Sequence, residues 1–151
     1  MSKRKQYSTW DQAFLKSALA FASRSKDPST QVGAVIADKD NRFLSEGYNG
    51  TPRGLDDDNF YWGKDNDNHL HNKYAYVIHA ERNAVLNFRG SLSQMEGGTV
   101  YVTHSPCHEC LKELIQVGIS KVVYLEEYPD EYTDEMVRLG LIELEKYSGK
   151  L

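Results

Sequence analysis

The sequence predicts an α/β fold in which helices pack on a mixed β-sheet. Short, β-branched apolar segments alternate with segments of helical periodicity along the chain. The first two strand-like segments are separated by only a four-residue turn, which joins antiparallel strands, whereas strands separated by helices favour parallel pairing. The sheet is therefore expected to be mixed. A length of 151 residues suits one core, so we expect residues 1–151 to form a single domain.

The first helix is predicted from Trp10 to about Lys26, because its apolar residues recur at helical spacing. Ser8 is expected to cap the N-terminus of this helix. Pro28 is expected to end it, since proline disfavours helical geometry in the residue before it.

Five strands and three further helices are predicted after the first helix. In chain order the segments are the strands Val32–Ala37 and Arg42–Tyr48, a helix within Tyr74–Phe88, the strand Thr99–Thr103, the helix Cys107–Val117, the strand Lys121–Leu125, the helix Thr133–Leu139 and the strand Leu141–Leu144. The polar stretch 49–72 lacks such a pattern. A connection of this length in a compact domain is usually functional or mobile.

Charge and hydropathy narrow the class of partner. The formal net charge is −4, which argues against broad nucleic-acid binding but leaves room for a small cationic pocket for one phosphate. No apolar run is long enough to span a bilayer, and no apolar stretch follows the basic N-terminus. We expect a cytoplasmic protein without membrane or nucleic-acid partners. The acidic segment 126–135 is interpreted as a solvated face or an interface.

The residues that carry chemistry lie in two short motifs, His79-Ala80-Glu81 and Pro106-Cys107-His108-Glu109-Cys110, each at the predicted start of a helix. Two thiolates and one imidazole give three protein ligands. Structural zinc normally has four ligands, whereas catalytic zinc keeps one position open for water. The chain has no other cysteine to complete a structural site. The two motifs therefore predict a catalytic zinc bound by His79, Cys107 and Cys110.

Glu81 is the predicted catalytic residue. At a helix start the backbone can aim both His79 and Glu81 into one pocket, where a carboxylate beside zinc can accept and deliver protons. Taken singly, each feature has an ordinary interpretation: the cysteines as a redox pair or half of a structural zinc site, His79 as a partly buried histidine, and Glu81 as a solvated helix residue. Their combination matches the signature of zinc nucleobase deaminases.

Four segments together resemble the deoxycytidylate (dCMP) deaminases of the cytidine deaminase superfamily. They are SKDPSTQVGA at 25–34, GYNG at 47–50, HAERNA at 79–84 and PCHEC at 106–110, and the likeness runs from about Trp10 to Leu144. The resemblance implies a three-layer α/β/α fold with a five-stranded mixed sheet. It also implies the hydrolysis of dCMP to dUMP and ammonia with one zinc per chain, with Glu81 protonating N3 of cytosine and then the leaving amine.

The resemblance also implies roles for substrate-binding residues. Asn49 matches an asparagine that binds the sugar, and Val32 a residue that packs on the base. The Ala80 N–H is a candidate donor to the cytosine O2. Tyr128 matches a tyrosine that closes over the nucleotide; alternatively it is a rim aromatic without substrate contact.

The phosphate is assigned to Ser25 and Lys26, because a hydroxyl and a lysine charge suit that anion. The alternative for Lys26 is an ordinary solvated lysine. Some family members hold a second, structural zinc that uses additional cysteines, which this chain lacks. His69 and His71 are interpreted as polar loop residues, and we predict a single zinc.

The resemblance finally implies a regulatory nucleotide site. In the family the block Gly47, Tyr48, Asn49 and Gly50 is associated with activation by dCTP and inhibition by dTTP, usually in a homo-hexamer. Arg53 is a candidate contact for the triphosphate, and magnesium is expected with bound dCTP. The alternative interpretation of the block is a strand end followed by a glycine turn.

Two other classes of function stay open on the sequence. One is a deaminase of free cytidine, guanine or a tRNA adenosine. The acidic balance disfavours the tRNA version, and the free-nucleoside version leaves Ser25 and Lys26 without a role. The other is a non-catalytic, zinc-folded nucleotide-binding module, which would not need Glu81.

Overall fold

A five-stranded mixed β-sheet is the centre of the protein. The computed structural model describes residues 1–151. The strands are β1 (Gly33–Ala37), β2 (Phe43–Tyr48), β3 (Thr99–His104), β4 (Lys121–Glu126) and β5 (Glu143–Lys146), in the spatial order β2-β1-β3-β4-β5. Strand β1 is antiparallel to both neighbours, whereas β3, β4 and β5 are parallel. The predicted mixed sheet is confirmed.

Four α-helices cover the two faces of the sheet. They are α1 (Trp10–Ala22), α2 (Ala80–Asn87), α3 (His108–Gln116) and α4 (Glu131–Arg138), with short 3-10 turns at Lys73–Ala75 and Leu92–Met95. Helix α1 packs on one face of the sheet, where Leu15 and Ala18 meet Val35 and Val123. Residues of α2 and α3 pack on the opposite face against alternate residues of the same strands. Alternation along a strand sends neighbouring side chains to opposite faces, which gives the three α/β/α layers implied by the resemblance.

The first helix begins at Trp10 as predicted, but its predicted cap and its predicted C-terminal end were wrong. Thr9, not Ser8, caps α1, and its hydroxyl accepts the N–H of Gln12 at 3.1 Å while the Gln12 side chain accepts the Thr9 N–H at 2.8 Å. The helix ends at Ala22, four residues before Lys26. The chain then leaves the helix early enough for residues 27–32 to run along the cavity described below.

The C-terminal elements are also displaced from their predicted positions. Helix α4 begins at Glu131 rather than Thr133, because the Asp130 carboxylate caps it by accepting the N–H groups of Tyr132 and Thr133. Gly140, with φ of 76°, follows the C-cap of α4, and β5 starts at Glu143 instead of Leu141. Leu141 still belongs to the helix end, since its N–H donates to Met136 O.

The polar stretch 49–72 forms neither helix nor strand. It is joined to the rest by two isolated β-bridges, Gly50 with Ile78 and Lys64 with Asn72.

No helix in the structure is long and apolar enough to cross a membrane. The topology brings the N-terminus of α2 next to the end of β3 and the N-terminus of α3, so both chemical motifs meet at one edge of the sheet.

Candidate active site

Three metal-ligating side chains converge where α2 and α3 begin. The ligand atoms of His79, Cys107 and Cys110 all lie within 4.8 Å of one another. His79 Nδ1 lies 3.5 Å from Cys107 Sγ and 3.3 Å from Cys110 Sγ, so one ring nitrogen faces both sulfurs. Both cysteines are free thiols. The predicted ligand set is thus gathered around one point.

The backbone at the two helix starts explains this convergence. His79 and Cys107 are the N-cap residues of α2 and α3, both with extended backbone, and neither side chain caps its own helix. Their side chains are therefore free to turn toward each other. Arg82 and Glu113 form an ion pair that joins the two helices one turn further on.

The chemistry of the donor set fits zinc. A hydrogen bond from the Cys110 thiol, with further support from His79, lowers the pKa of Cys107 and favours its thiolate, whereas that same bond and burial raise the pKa of Cys110. Zinc binds thiolates and neutral imidazole, and a set of three protein ligands leaves one tetrahedral position for water. This arrangement is typical of catalytic rather than structural zinc.

Glu81 lies beside this cluster in the first turn of α2 and is only 5% exposed. Burial raises its pKa above the ordinary glutamate value. A carboxyl whose pKa is raised can hold a proton nearer to neutral pH, which suits a group that must both accept and donate one. Glu81 is not one of the three clustered metal ligands.

A cavity of about 680 Å³ opens over the cluster. Its size suits a small-molecule ligand. Among the residues assigned from the sequence, its walls include Val32, Asn49, His79, Ala80, Glu81, Cys107 and Tyr128. The cavity therefore combines the cluster, the carboxylate and four of the six predicted substrate-binding residues.

Asn49 has a structural task in the wall of this cavity. Its Oδ1 accepts the Val32 N–H at 2.8 Å, and its Nδ2 donates to Thr30 O at 2.9 Å. The amide therefore holds the segment before β1 in place while facing the cavity.

Ser25 and Lys26 do not line the cavity. The Ser25 hydroxyl donates to Asn49 O at 2.8 Å. Lys26 points outward, with a side chain 58% exposed, and its Nζ pairs with Asp57 at 2.6 Å. Both side chains are thus engaged outside the cavity in this structure, and their assignment to the phosphate stays a prediction.

The block Gly47–Gly50, for which the resemblance implies a regulatory role, lies beside the cavity rather than in it, apart from Asn49. Gly47 lies in β2 against the backbone of α2, and Tyr48 O accepts the side-chain amide of Asn83 at 2.8 Å. Gly50 exchanges backbone hydrogen bonds with Ile78, and Arg53 is exposed. Gly47, Tyr48 and Gly50 thus each make a packing or hydrogen-bonding contact within the fold.

Gly47→Ala is expected to destabilise the fold by about 3 kcal/mol, the upper range for forcing atoms into a packed core. A Cβ at Gly47 would lie 2.4 Å from both Ala80 O and Ala84 N, which are backbone atoms of the metal-binding helix. Chemical denaturation measures the change. Gly50→Ala is the matched control, because its Cβ would meet only Tyr48 side-chain atoms, the nearest at 3.7 Å. Equal stability of the two variants would contradict the packing explanation.

Sequence reasoning missed three groups around the site. Ser105 Oγ accepts the Tyr128 N–H at 2.6 Å and donates to Tyr128 O at 3.2 Å, so it fixes the backbone of that tyrosine. Asp130 accepts from both the backbone N–H and the ring Nδ1 of His108, each at 2.8 Å, and so ties α4 to the start of α3. The third group is an ion pair between Asp27 and Lys73 in the cavity wall.

These groups differ in how visible they were. Ser105 borders the Pro-Cys motif and could have been included with it. Asp130 stands in the acidic segment, which was interpreted only by its charge. Nothing in the local sequence around Lys73 pairs it with a residue 46 positions away.

Comparisons with known proteins agree with this geometry. Residues 8–126 match the family model described as the cytidine and deoxycytidylate deaminase zinc-binding region. A probable deoxycytidylate deaminase of Drosophila melanogaster is 48% identical over 138 residues, covering 88% of this chain and 66% of that protein. The deoxycytidylate deaminase of Homo sapiens is 42% identical over 132 residues, covering 87% and 71%.

A solved structure shows the same fold. The apo dCMP deaminase from the cyanophage S-TIM5 superimposes with a TM-score of 0.72 at 32% identity, covering 91% of this chain and 96% of that one. The family model and the relatives span the segments that carry the cluster and the cavity. The chain belongs to the cytidine and deoxycytidylate deaminase family.

Proposed function

We propose that the protein hydrolyses dCMP to dUMP and ammonia. The observation that carries this proposal is the buried carboxylate of Glu81 in the wall of the same cavity as the His79–Cys107–Cys110 cluster. A redox pair or a structural zinc site would not need that carboxylate. Amino-group hydrolysis needs it, because a proton must leave the attacking water and others must reach the base and the leaving group.

His79, Cys107 and Cys110 would hold the zinc ion in this proposal. When bound, zinc supplies a water molecule acidic enough to give a nucleophile near neutral pH. His79 and Cys107 line the same cavity as Glu81, so a substrate in that cavity would lie against both the ligand set and the carboxylate. The cluster is consistent with one zinc per chain.

Glu81 moves the protons. It accepts one proton from water and delivers it to N3 of the cytosine ring. It then accepts the remaining water proton, from the hydroxyl now bonded to C4, and delivers it to the amine, which leaves C4 as that oxygen becomes the carbonyl. Water contributes the oxygen of the product carbonyl, and the amino group departs as ammonia. Burial of Glu81, which raises its pKa, suits the protonated stages of this cycle.

The remaining cavity residues orient the nucleotide. The N–H of Ala80 is the first of α2 and has no acceptor within the helix, so it can donate to the cytosine O2. Val32 presents an apolar surface to the base, and Asn49 lies at the cavity wall within the segment expected to meet the sugar. These roles follow the family resemblance and fit the positions of the three residues.

Deoxycytidine monophosphate is favoured as substrate by the relatives. The curated relatives named above are called deoxycytidylate deaminases. A second structure of the cyanophage enzyme, described as a complex with dCMP and dUMP, is 32% identical to this chain with a TM-score of 0.71. That the same pair is substrate and product here is our proposal.

Ammonia release with dCMP, deoxycytidine, CMP and dCTP, assayed side by side, tests the proposed function. We expect turnover of dCMP above the other three. Preferential turnover of deoxycytidine would indicate a free-nucleoside deaminase. Failure of the zinc-loaded protein to turn over any of them would favour the non-catalytic nucleotide-binding module.

Tyr128→Ala is expected to raise the KM for dCMP about tenfold with kcat within about threefold. Tyr128 lines the cavity with a side chain that is 56% exposed, so it covers the ligand rather than the reacting atoms. An aromatic contact worth about 1.4 kcal/mol corresponds to tenfold in binding. Steady-state kinetics measure both constants. Tyr7→Ala, an exposed tyrosine outside the cavity, is the control. An unchanged KM in the Tyr128 variant would indicate that Tyr128 lies at the cavity rim without contacting the substrate.

We also propose the regulation that the family resemblance implies. In this proposal dCTP with magnesium activates a homo-hexamer and dTTP inhibits it, with Tyr48 and the exposed Arg53 as candidate contacts. The location of the block directly behind α2 supports the proposal, because a ligand there would bear on the helix that carries Glu81. Assays and sizing experiments with each effector test it. The cytoplasmic location stays a prediction.

A further inference from the structure

A buried ion pair forms part of the cavity wall. Lys73 Nζ lies 2.9 Å from Asp27 Oδ1 and 3.2 Å from Oδ2, and both side chains are only 6% exposed. Lys73 is the only lysine or arginine that is buried in the structure. Neither residue takes part in the proton transfers proposed above.

Each partner belongs to a different wall of the site. Asp27 Oδ1 also accepts the N–H groups of Ser29 at 2.8 Å and Thr30 at 3.4 Å, which shapes the turn before Val32. Lys73 starts the 3-10 turn that leads to His79, and its carbonyl accepts the Val77 N–H at 2.8 Å. The ion pair therefore ties the wall expected to meet the base to the segment that delivers the metal ligand.

The tied segment has little other support. Residues 27–32 form no helix or strand, so they are held by side chains and by one backbone hydrogen bond, from the Asn49 N–H to Val32 O at 3.2 Å. Asn49 holds their far end through Thr30 O and the Val32 N–H. Asp27 and Lys73 hold the near end. The Ser25 hydroxyl also supports this end, since it accepts the Asp27 N–H at 3.3 Å and donates to Asn49 O at 2.8 Å, but it makes no link to Lys73. Loss of the ion pair would therefore remove the tie between this wall and the segment that leads to His79.

The burial of this ion pair also indicates that it positions the cavity wall rather than stabilises the fold. A buried ion pair costs desolvation on both sides, and its replacement by uncharged side chains of similar size is often neutral or stabilising. A pair kept in the wall of a binding cavity is therefore better explained by the geometry it imposes.

We propose that Asp27 and Lys73 are positioning residues that set the distance between the 29–32 wall and the metal-binding segment, and thereby the affinity for the base and sugar of the nucleotide. The proposal rests on the proposed function for its choice of ligand.

The test uses the full-length zinc-loaded double variant Asp27→Asn/Lys73→Met. It removes both charges together, so no uncompensated charge is buried, and the introduced amide keeps an acceptor for the Ser29 and Thr30 N–H groups. We expect the KM for dCMP to rise about tenfold, which corresponds to a loss of about 1.4 kcal/mol of binding free energy at the base and sugar wall. The kcat should stay within about threefold, with zinc content and unfolding midpoint close to wild type.

A matched control separates this effect from general loss of an ion pair. Glu135→Gln/Arg138→Met removes an exposed pair on α4, with side chains 52% and 68% exposed, and should leave KM unchanged. An unchanged KM in the folded Asp27→Asn/Lys73→Met variant would overturn the proposal, as would a loss of kcat alone. If that variant does not fold, Asp27→Asn alone should show a smaller rise in KM, and its absence overturns the proposal equally.

Inhibition by dUMP and by deoxyuridine distinguishes positioning from direct phosphate contact. Positioning of the base and sugar wall predicts that the inhibition constants of both ligands rise together in the double variant. A rise confined to dUMP would overturn the proposal in favour of a contact between Lys73 and the phosphate. Direct binding of the same two ligands needs no turnover. A wild-type protein that does not deaminate dCMP would therefore refute the proposed function while leaving the positioning proposal testable.

Discussion

Glu81→Gln is expected to lower the kcat for dCMP by about 10³-fold while the zinc content stays near one per chain. General acid–base catalysis by a positioned side chain contributes about 10² to 10⁴-fold, and in this proposal one carboxylate serves every proton transfer. Glutamine has the same shape but cannot accept a proton, so the cavity should keep its form. Glu81 is not among the clustered ligands, so the metal should remain. Steady-state kinetics and metal analysis on the same sample measure both quantities.

The matched control is Glu109→Gln, the same change in the first turn of the neighbouring helix. Glu109 is exposed, pairs with Lys112 and lies outside the cavity lining, so its kcat should change less than about twofold. Retention of more than about a tenth of the activity by Glu81→Gln would refute its role in proton transfer. Loss of zinc from that variant would assign the carboxylate to the metal instead.

The pH dependence of kcat gives a second test of the role of Glu81. Burial raises the pKa of Glu81 because the charged form loses its hydration. Zinc nearby works in the opposite direction, since a cation favours the carboxylate. The acidic limb of the kcat–pH profile should therefore be measured on the zinc-loaded enzyme. Disappearance of that limb in Glu81→Gln would assign it to Glu81.

The part of the site that could be predicted from sequence is the part encoded by short-range patterns. His79 with Glu81, and Cys107 with Cys110, are each two or three residues apart at helix starts, so local geometry alone brings each pair together. The strands β1, β3 and β4 were found because each is a short apolar run between turns, whereas the mostly polar β5 was predicted two residues too early. The antiparallel hairpin was visible in the turn at 38–41, where Asn41 adopts a φ of 63°.

Long-range pairing explains what was missed. The Asp27–Lys73 pair joins residues 46 positions apart, and the Ser105–Tyr128 contact joins residues 23 apart. The SKDP segment suggested a phosphate ligand because Lys26 is the charge that a reader of the sequence sees. The fold turns Lys26 outward to Asp57 and turns Asp27 inward to Lys73. Only the packed structure shows which of two neighbouring residues reaches the cavity.

The second large effect is expected for Cys110→Ser, which should lower zinc affinity by more than about 100-fold. Loss of a group that merely orients a metal ligand costs about 10 to 100-fold, so loss of one of three ligands should cost more. Serine is nearly isosteric, but its hydroxyl is a far weaker zinc ligand than a thiolate. Cys110 is only 4% exposed, which leaves little room for water to replace it. Competition with a fluorescent chelator measures the affinity.

Thermal unfolding adds an independent measurement. A ligand that binds only the folded state at 1,000 times its Kd stabilises it by about 4 kcal/mol. Wild type should therefore unfold at a higher temperature with zinc than after chelation, whereas Cys110→Ser should show little zinc-dependent shift. Glu113→Gln on the same helix, outside the cluster, is the control and should respond to zinc as wild type does.

The same experiment decides between zinc and redox chemistry at the two cysteines. The wild-type protein could show no zinc-dependent shift of its unfolding temperature and form a Cys107–Cys110 disulfide under mild oxidation. The two cysteines would then be a redox pair, and the deaminase proposal would fail. Zinc binding that protects both thiols from oxidation would support the catalytic site, because a thiolate held by the metal is no longer available for disulfide formation. His79 gives the sharpest form of this test: a redox pair does not require its imidazole, whereas a three-ligand zinc site loses the metal in His79→Ala.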